Sequence, residues 1–362
     1  MNEPRDPNAV RFDPAAGADH VESYFLKAND PAGDRALWIK ATIFASAREP
    51  GRALAEGWAI AFDRRGGQSK HVAVKHVLPF ADALFGREGL DVAWSLSVAG
   101  DGASEERMRI RPGETHGRIA RREHAIRWDL RFEGEASPFV PFPHASMYRG
   151  KFPKSKTLTP YPDLVFSGEV EVDGERWDLS NWRGMQGHNW GRGHADLYAW
   201  CHVNTWESDA ELGFGAKGAD RRPEAPSVDL TVEALSGRVR VGPVLTPLVT
   251  LVCARFRGVT YTWNGPLEIA RAHGDVGLRR YSFSAESRAA RIEGSFEAET
   301  DDMVGLYYPN PDGPMTYCLN SKLARAHVRF EASGRPPVVV KSRAAALEIG
   351  TRDADHGVRM HV

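Results

Sequence analysis

Short runs of β-forming residues alternate with turn chemistry along nearly the whole 362-residue chain. A chain punctuated this way has few options besides antiparallel sheet. Tyr24 to Lys27 leads through Asn29–Asp34 into residues 37–45, a hairpin by its turn residues. Residues 57–63, the turn 64–67 and residues 70–80 make a second, and 92–100 is a strand followed by a polar loop. Within 116–135 two alternating runs place Ile126, Trp128, Leu130 and Phe132 on one side. Residues 164–180 read as a hairpin turning at Asp173–Gly174. A helix is expected only over 79–86, with Gly86 as its cap. The Pro-rich stretch 137–163 opposes strand pairing, and its interleaved Phe139, Phe142, Met147, Tyr148, Phe152 and Tyr161 point to an ordered loop over apolar surface.

The order of elements repeats. Residues 198–206 and 211–218 echo the first hairpin; 228–234, a turn at Leu235–Gly237 and 238–244 echo the second. Residues 281–300 resemble 116–135, and 314–350 follow the order of 145–179, each with a Ser-Lys pair (Ser155–Lys156, Ser321–Lys322) before a hairpin. A chain this long exceeds the usual single core, so two β domains of similar plan are expected. A polar arm covers 1–18, the first domain 19–185 and the second 186–362, with a boundary as late as 218 also compatible. Halves of about 180 residues with short hairpins fit up-and-down barrels or curled sandwiches, which hold one small ligand in mouth or lumen.

Charge excludes some partners. With 47 basic and 48 acidic residues interspersed, the chain lacks the one-signed field that nucleic acid attracts. The first 20 residues have no apolar core of signal-peptide length, and no run approaches a membrane span. Cys201, Cys253 and Cys318 each sit in an apolar strand-like run, which suits buried thiols in a reducing compartment. A cytoplasmic location is the expectation; peripheral membrane contact stays compatible with it.

Function points to Gly184–Trp206, GMQGHNWGRGHADLYAWCHVNTW. Along its second half Asp196, Tyr198, Trp200, His202, Asn204 and Trp206 share one parity, and Leu197, Ala199, Cys201, Val203 and Thr205 the other. Large rings with polar tips are poor core material unless their polar groups are answered, so that face reads as a pocket wall.

The segment GMQGHNWG, with the aromatic strand after it and KFPKSKTLTP before it, resembles the carotenoid 1,2-hydratase (hydroxyneurosporene synthase) and AttH-like family. Tocopherol cyclase and the decalin-forming cyclases resemble it more distantly. The likeness runs through most of the chain as element order and is specific in letters only around 152–206. It implies tandem lipocalin-like domains and a cofactor-free enzyme of lyase or isomerase type. Its substrate would be a large apolar terpenoid, polyene or polyketide-like molecule, changed by acid-initiated hydration, cyclisation or isomerisation.

Such chemistry needs an acid, a dry cavity and rings to face the cation that forms. His188 lies two residues from Gln186 and Trp190, so all three point one way in an extended segment. His188 is a candidate acid or substrate partner; the alternative is that it and Trp190 fasten a barrel end. Asp196 is the second catalytic candidate, or a solvated residue beside Arg192. Gln186, Trp190, Tyr198, Trp200, His202 and Asn204 are expected to line the pocket. Tyr308, with Tyr307, falls where a barrel-mouth loop would lie, turn packing being the alternative. Lys156 is a candidate for a ligand carboxylate or enolate, or an ordinary surface lysine. The spacing of His188, His194 and His202 matches no compact zinc pattern, and no phosphate loop or nucleophile elbow is present. The expected partner is a hydrophobic small molecule, with no metal and no cofactor. A tandem lipocalin that binds a lipid-like ligand without changing it is the alternative.

Overall fold

The computed structural model describes residues 6–97, 105–207, 228–238, 240–241 and 244–362. Two curled antiparallel sheets account for the architecture. The first holds β1 (His20–Asn29), β2 (Arg35–Ala45), β3 (Leu54–Asp63), β4 (Val72–Pro79), β5 (Leu84–Phe85), β6 (Val92–Ser97), β7 (Glu105–Arg111), β8 (Glu114–Arg121), β9 (His124–Glu133), β10 (Ser155–Val172) and β11 (Glu175–Gly191). Its strands run in the order β4-β3-β2-β1-β11-β10-β9-β8-β7-β6-β5, so first and last strands pair. It curls until β4 lies against β8 and β9.

The second sheet is built on the same plan. Its strands are β12 (Leu197–Val203), β13 (Leu230–Arg238), β16 (Val249–Phe256), β17 (Val259–Trp263), β18 (His273–Val276), β19 (Arg280–Glu286), β20 (Ala290–Glu297), β22 (Met315–Ala332) and β23 (Val338–Thr351), with β21 (Val304–Pro309) against β22. The ribbon of β14 (Arg240–Val241) and β15 (Val244–Leu245) stands apart. Here too the first strand, β12, pairs with the last, β23. The fold is all-β, with two tandem lipocalin-like units.

Side-chain alternation explains how the units meet. In β9 every second residue is buried from Ile126 onward and the rest face water. In β1 all but the first residue are buried, so both faces are covered. Tyr24, Leu26, Leu37, Ile39 and Ala59 fill the first unit's interior. Phe25, Trp38, Trp58 and Ile60, of opposite parity, pack on Trp200, Leu306, Cys318 and Ala346 of the second. That contact layer is the seam between the units.

Several sequence expectations change in detail. The hairpin turn at Asp173–Gly174 is present, with φ of 50° and 85° at the two residues. The helix expected over 79–86 is one 3-10 turn, Phe80–Asp82, followed by β5; so short a segment does not repay helix nucleation. The end of the Pro-rich loop is strand, because β10 begins at Ser155 and takes Pro160 and Pro162 at register shifts between Leu158 and Leu164. The motif 184–191, expected to open the second unit, is the end of β11 in the first sheet, and the change of sheet falls between Gly191 and Leu197. Leu235–Gly237 lies inside β13 rather than in a turn, and β13 pairs directly with β12. The strand expected at 211–218 lies outside the described residues, as do 208–209 of the turn before it and 98–100 of an earlier strand. The three cysteines are free and buried.

Candidate functional site

Near one end of the seam the two sheets leave a cavity of about 360 Å³. That lies within the range of small-molecule pockets. Phe25, Trp38 and Lys40 reach it from β1 and β2; Tyr198, Trp200 and Glu348 reach it from β12 and β23. Tyr308 of β21, His194 of the link between the sheets and Arg238 of β13 also belong to the polar part of its wall. Met147, Phe152, Lys156 and Trp190 line its outer part.

Glycines let these rings lie close to backbone. A Cβ at Gly187 would collide with the Phe25 ring, and one at Gly350 with the Tyr198 ring. Gly350 stands opposite Tyr198 in the β12–β23 ladder, so the tyrosine crosses its neighbour strand where no side chain opposes it.

The central stretch does not converge on one hollow. Trp190, Tyr198 and Trp200 line the cavity, as do Tyr308 and Lys156. Gln186 and His188 are fully buried on the other face of the wall, toward the first unit's interior. Gln186 exchanges two hydrogen bonds with the side chain of Asn8. His188 stacks on Tyr24 with centroids 4.3 Å apart. Its Nδ1 lies 2.6 Å from the Pro7 carbonyl and its Nε2 2.9 Å from Glu22 Oε1. Both neighbours are acceptors, so the ring satisfies them only with a proton on each nitrogen.

Glu22 is the hub of this clasp. It accepts from the backbone N–H groups of Arg11 and Phe12, from the Tyr24 hydroxyl and from His20. Burial would raise its pKa, but hydrogen bonds and charge from His188 and His20 hold it well below the usual carboxylate range. The assembly ties residues 7–12 to the first barrel. Nothing on it faces the cavity.

His202 and Asn204 share the seam with Trp200 but lie deeper than the cavity. His202 Nε2 donates to the Pro162 carbonyl at 2.8 Å, and its Nδ1 has no hydrogen-bond partner among the described residues. Burial, with the charge of Lys27, holds this imidazole far below its ordinary pKa. Asn204 Nδ2 donates to Asp163 and to the Gly184 carbonyl. Asp196, partly exposed and 3.9 Å from Arg352, does not line the cavity.

Lys40, His194, Glu348 and Arg238 are among the cavity groups that escaped sequence reading as functional candidates. Lys40 had a visible signal, being a charged residue inside the apolar run 37–45. Its Nζ lies 3.9 Å from the Tyr308 ring centroid and 5.3 and 5.5 Å from those of Trp38 and Trp58. Burial lowers its pKa to about 8 against the opposing pull of Glu348, Cys318 and Glu56. His194 stacks on Tyr308 at 5.0 Å. Burial, helped by the charges of Lys40, Arg352 and Lys154, takes its pKa down to about 3, so it is a neutral acceptor at pH 7. Glu348 accepts from Lys322 at 2.8 Å and Asn320 at 3.0 Å. Burial raises the pKa of Tyr198 and Tyr308, which stay protonated.

No His, Cys, Asp and Glu cluster suited to a metal ion occurs among the described residues. No helix among them is long and apolar enough to cross a membrane. No family model and no curated protein matches the chain. Among solved structures, one from Nitrosomonas europaea described as a "putative AttH" is similar over 95% of this chain and 98% of its own, at 14% identity and a TM-score of 0.48.

Proposed function

We propose that this protein takes a large, mostly apolar small molecule into the cavity between its sheets and acts on it by proton transfer. The supporting observation is the cavity itself: ring-walled, mostly buried, and bordered by several ionisable groups of displaced pKa. The imidazolium of His194, a strong acid at a pKa of about 3, would give the proton that forms the cation, and the neutral imidazole left behind would take a proton back as the product forms or water adds; the Tyr198 and Tyr308 hydroxyls would donate hydrogen bonds. The rings of Trp38, Trp200 and Tyr308 would face a cationic intermediate, each contributing roughly 0.5–2 kcal/mol. His188, fully engaged in its clasp, is not part of this reading. Hydration, cyclisation and isomerisation all suit such a site.

A second reading, binding without turnover, rests on the same cavity. Native mass spectrometry of protein from its own host should reveal a bound apolar compound. Incubating analogues of that compound with wild type should give either one added water or an isomer of unchanged mass, and His194→Gln should stop conversion while leaving the complex intact. A captured compound that wild type never alters would leave the binding reading in place and end the catalytic one.

A further inference from the structure

Charge around the cavity does not balance. Three lysines, Lys40, Lys75 and Lys322, stand on this part of the seam with two carboxylates, Glu56 and Glu348. Lys75 Nζ is paired with Glu56 at 2.7 Å and Lys322 with Glu348 at 2.8 Å. Lys40 makes no hydrogen bond or ion pair among the described residues, although it is almost wholly buried. Among the described residues the groups packed closest to its charge are ring faces, with Glu348 and Glu56 acting on it from beyond ion-pair distance. The other groups facing it add nothing to offset this. His194 is neutral, Tyr198 and Tyr308 are protonated, and burial pushes the Cys318 thiol up to about 12. A buried ammonium met only by rings recovers part of its lost hydration, and a carboxylate beside it would recover far more.

We infer that the molecule held in this cavity carries an anionic end, a carboxylate on an otherwise apolar body, and that Lys40 is the residue that pairs with it. The inference rests on the cavity being a ligand site, as proposed above, and narrows the ligand class. The apolar body would lie along Phe25, Trp38 and Trp200 and extend toward Met147 and Phe152. Its carboxylate would meet Lys40 beside Tyr308, on the side of the ammonium away from the rings. Two other cations line the cavity, Lys156, whose Nζ donates to the Pro153 carbonyl at 2.7 Å, and Arg238 of β13, and neither is packed on the Tyr308 and Trp38 rings as Lys40 is.

The test uses the intact protein and three probes of one chain length: dodecanoic acid, dodecanol and methyl dodecanoate. Each is titrated against a neutral fluorescent apolar reporter. Wild type should bind the acid at least about tenfold more tightly than the alcohol or ester. Lys40→Met should erase that preference while the alcohol's affinity stays within about threefold, and Lys40→Arg should keep it. Lys156→Met and Arg238→Met should keep it too. A measurement without any variant backs this up. Pairing an anion with Lys40 raises its proton affinity, so acid binding near pH 8.5 should take up protons, read by calorimetry in two buffers of different ionisation enthalpy. Equal binding of the three probes, a preference that survives Lys40→Met or leaves with Lys156→Met or Arg238→Met, or absent proton uptake would overturn the assignment to Lys40 while the cavity reading stood. If no probe displaces the reporter, the cavity reading falls and takes this inference with it.

Discussion

His188 and His202 come from one stretch of chain and are both fully buried, but His188 faces the first unit's interior from β11 while His202 faces the seam from β12 of the second sheet. His188 belongs to a clasp in which both ring nitrogens and the facing carboxylate are answered. His202 belongs to the seam, where its Nδ1 and the Nζ of Lys27 have no hydrogen-bond partner among the described residues. Near them Glu233 is buried, accepting from Thr159 at 2.6 Å. The clasp draws its donors from backbone of a neighbouring arm, which can be placed to suit. The seam joins side chains from two separately folded sheets, and their geometry is a compromise. A completed buried network stabilises; an incomplete one costs stability and persists for another reason.

The sharpest way to break this comparison is Glu22→Ala. It leaves His188 and two backbone N–H groups buried without their acceptor, so a loss of about 3–5 kcal/mol is expected. Urea midpoints, together with protease cleavage within residues 7–12, would measure it. A loss below about 1 kcal/mol would mean the clasp is not what holds the arm.

The seam should respond in the opposite direction. Burial raises the pKa of Glu233 to about 7 from an ordinary 4.5, opposed by Thr159, Trp200 and Lys27. Between those values the folded state keeps a proton that the unfolded chain releases, so stability falls as pH rises through that window. Burial, with Lys322, lowers the pKa of Lys27 from 10.5 to about 7. There the unfolded chain binds the proton more readily, so stability recovers as pH rises from about 7 to 10.5. Together they place a trough near neutrality. Glu233→Gln should remove its acid-side slope and raise stability at pH 7 by on the order of 2 kcal/mol, read from unfolding curves across pH. Glu22 has the reverse sign: its contribution is complete above about pH 4.5 and is lost as pH falls below that.

Asp196 provides the smallest effect. It is partly exposed, and its ion contact with Arg352 is long, at 3.9 Å. Asp196→Asn should change stability and ligand affinity by less than about 0.5 kcal/mol. A large loss of turnover in that variant would return it to the site.

Much of the fold was legible because antiparallel sheet writes itself locally. Alternation in Ile126–Phe132 and the Asp173–Gly174 turn depend on near neighbours, and the structure repeats them; the doubled plan recurs in the two sheets, but the echoed turn at Leu235–Gly237 lies inside β13. The ring-bearing face of β12 was legible for the same reason, since parity alone puts Tyr198 and Trp200 together. Pairing partners were harder to read. Residues 184–191 belong to the first sheet because β1 and β10 flank them, and no local pattern records which strands will be neighbours.

The sequence by itself determined an all-β, doubled chain with a wall of polar-tipped rings. Only tertiary structure decided which of those rings meet a hollow, that His188 is spent on the N-terminal arm, and that Lys40, about 150 residues earlier, stands across from Tyr198 and Trp200. Parity along a strand assigns a side chain to a face. What that face meets is set by contacts between residues far apart in the chain, and two curled sheets must come together before a cavity, or an unpaired charge beside it, exists at all.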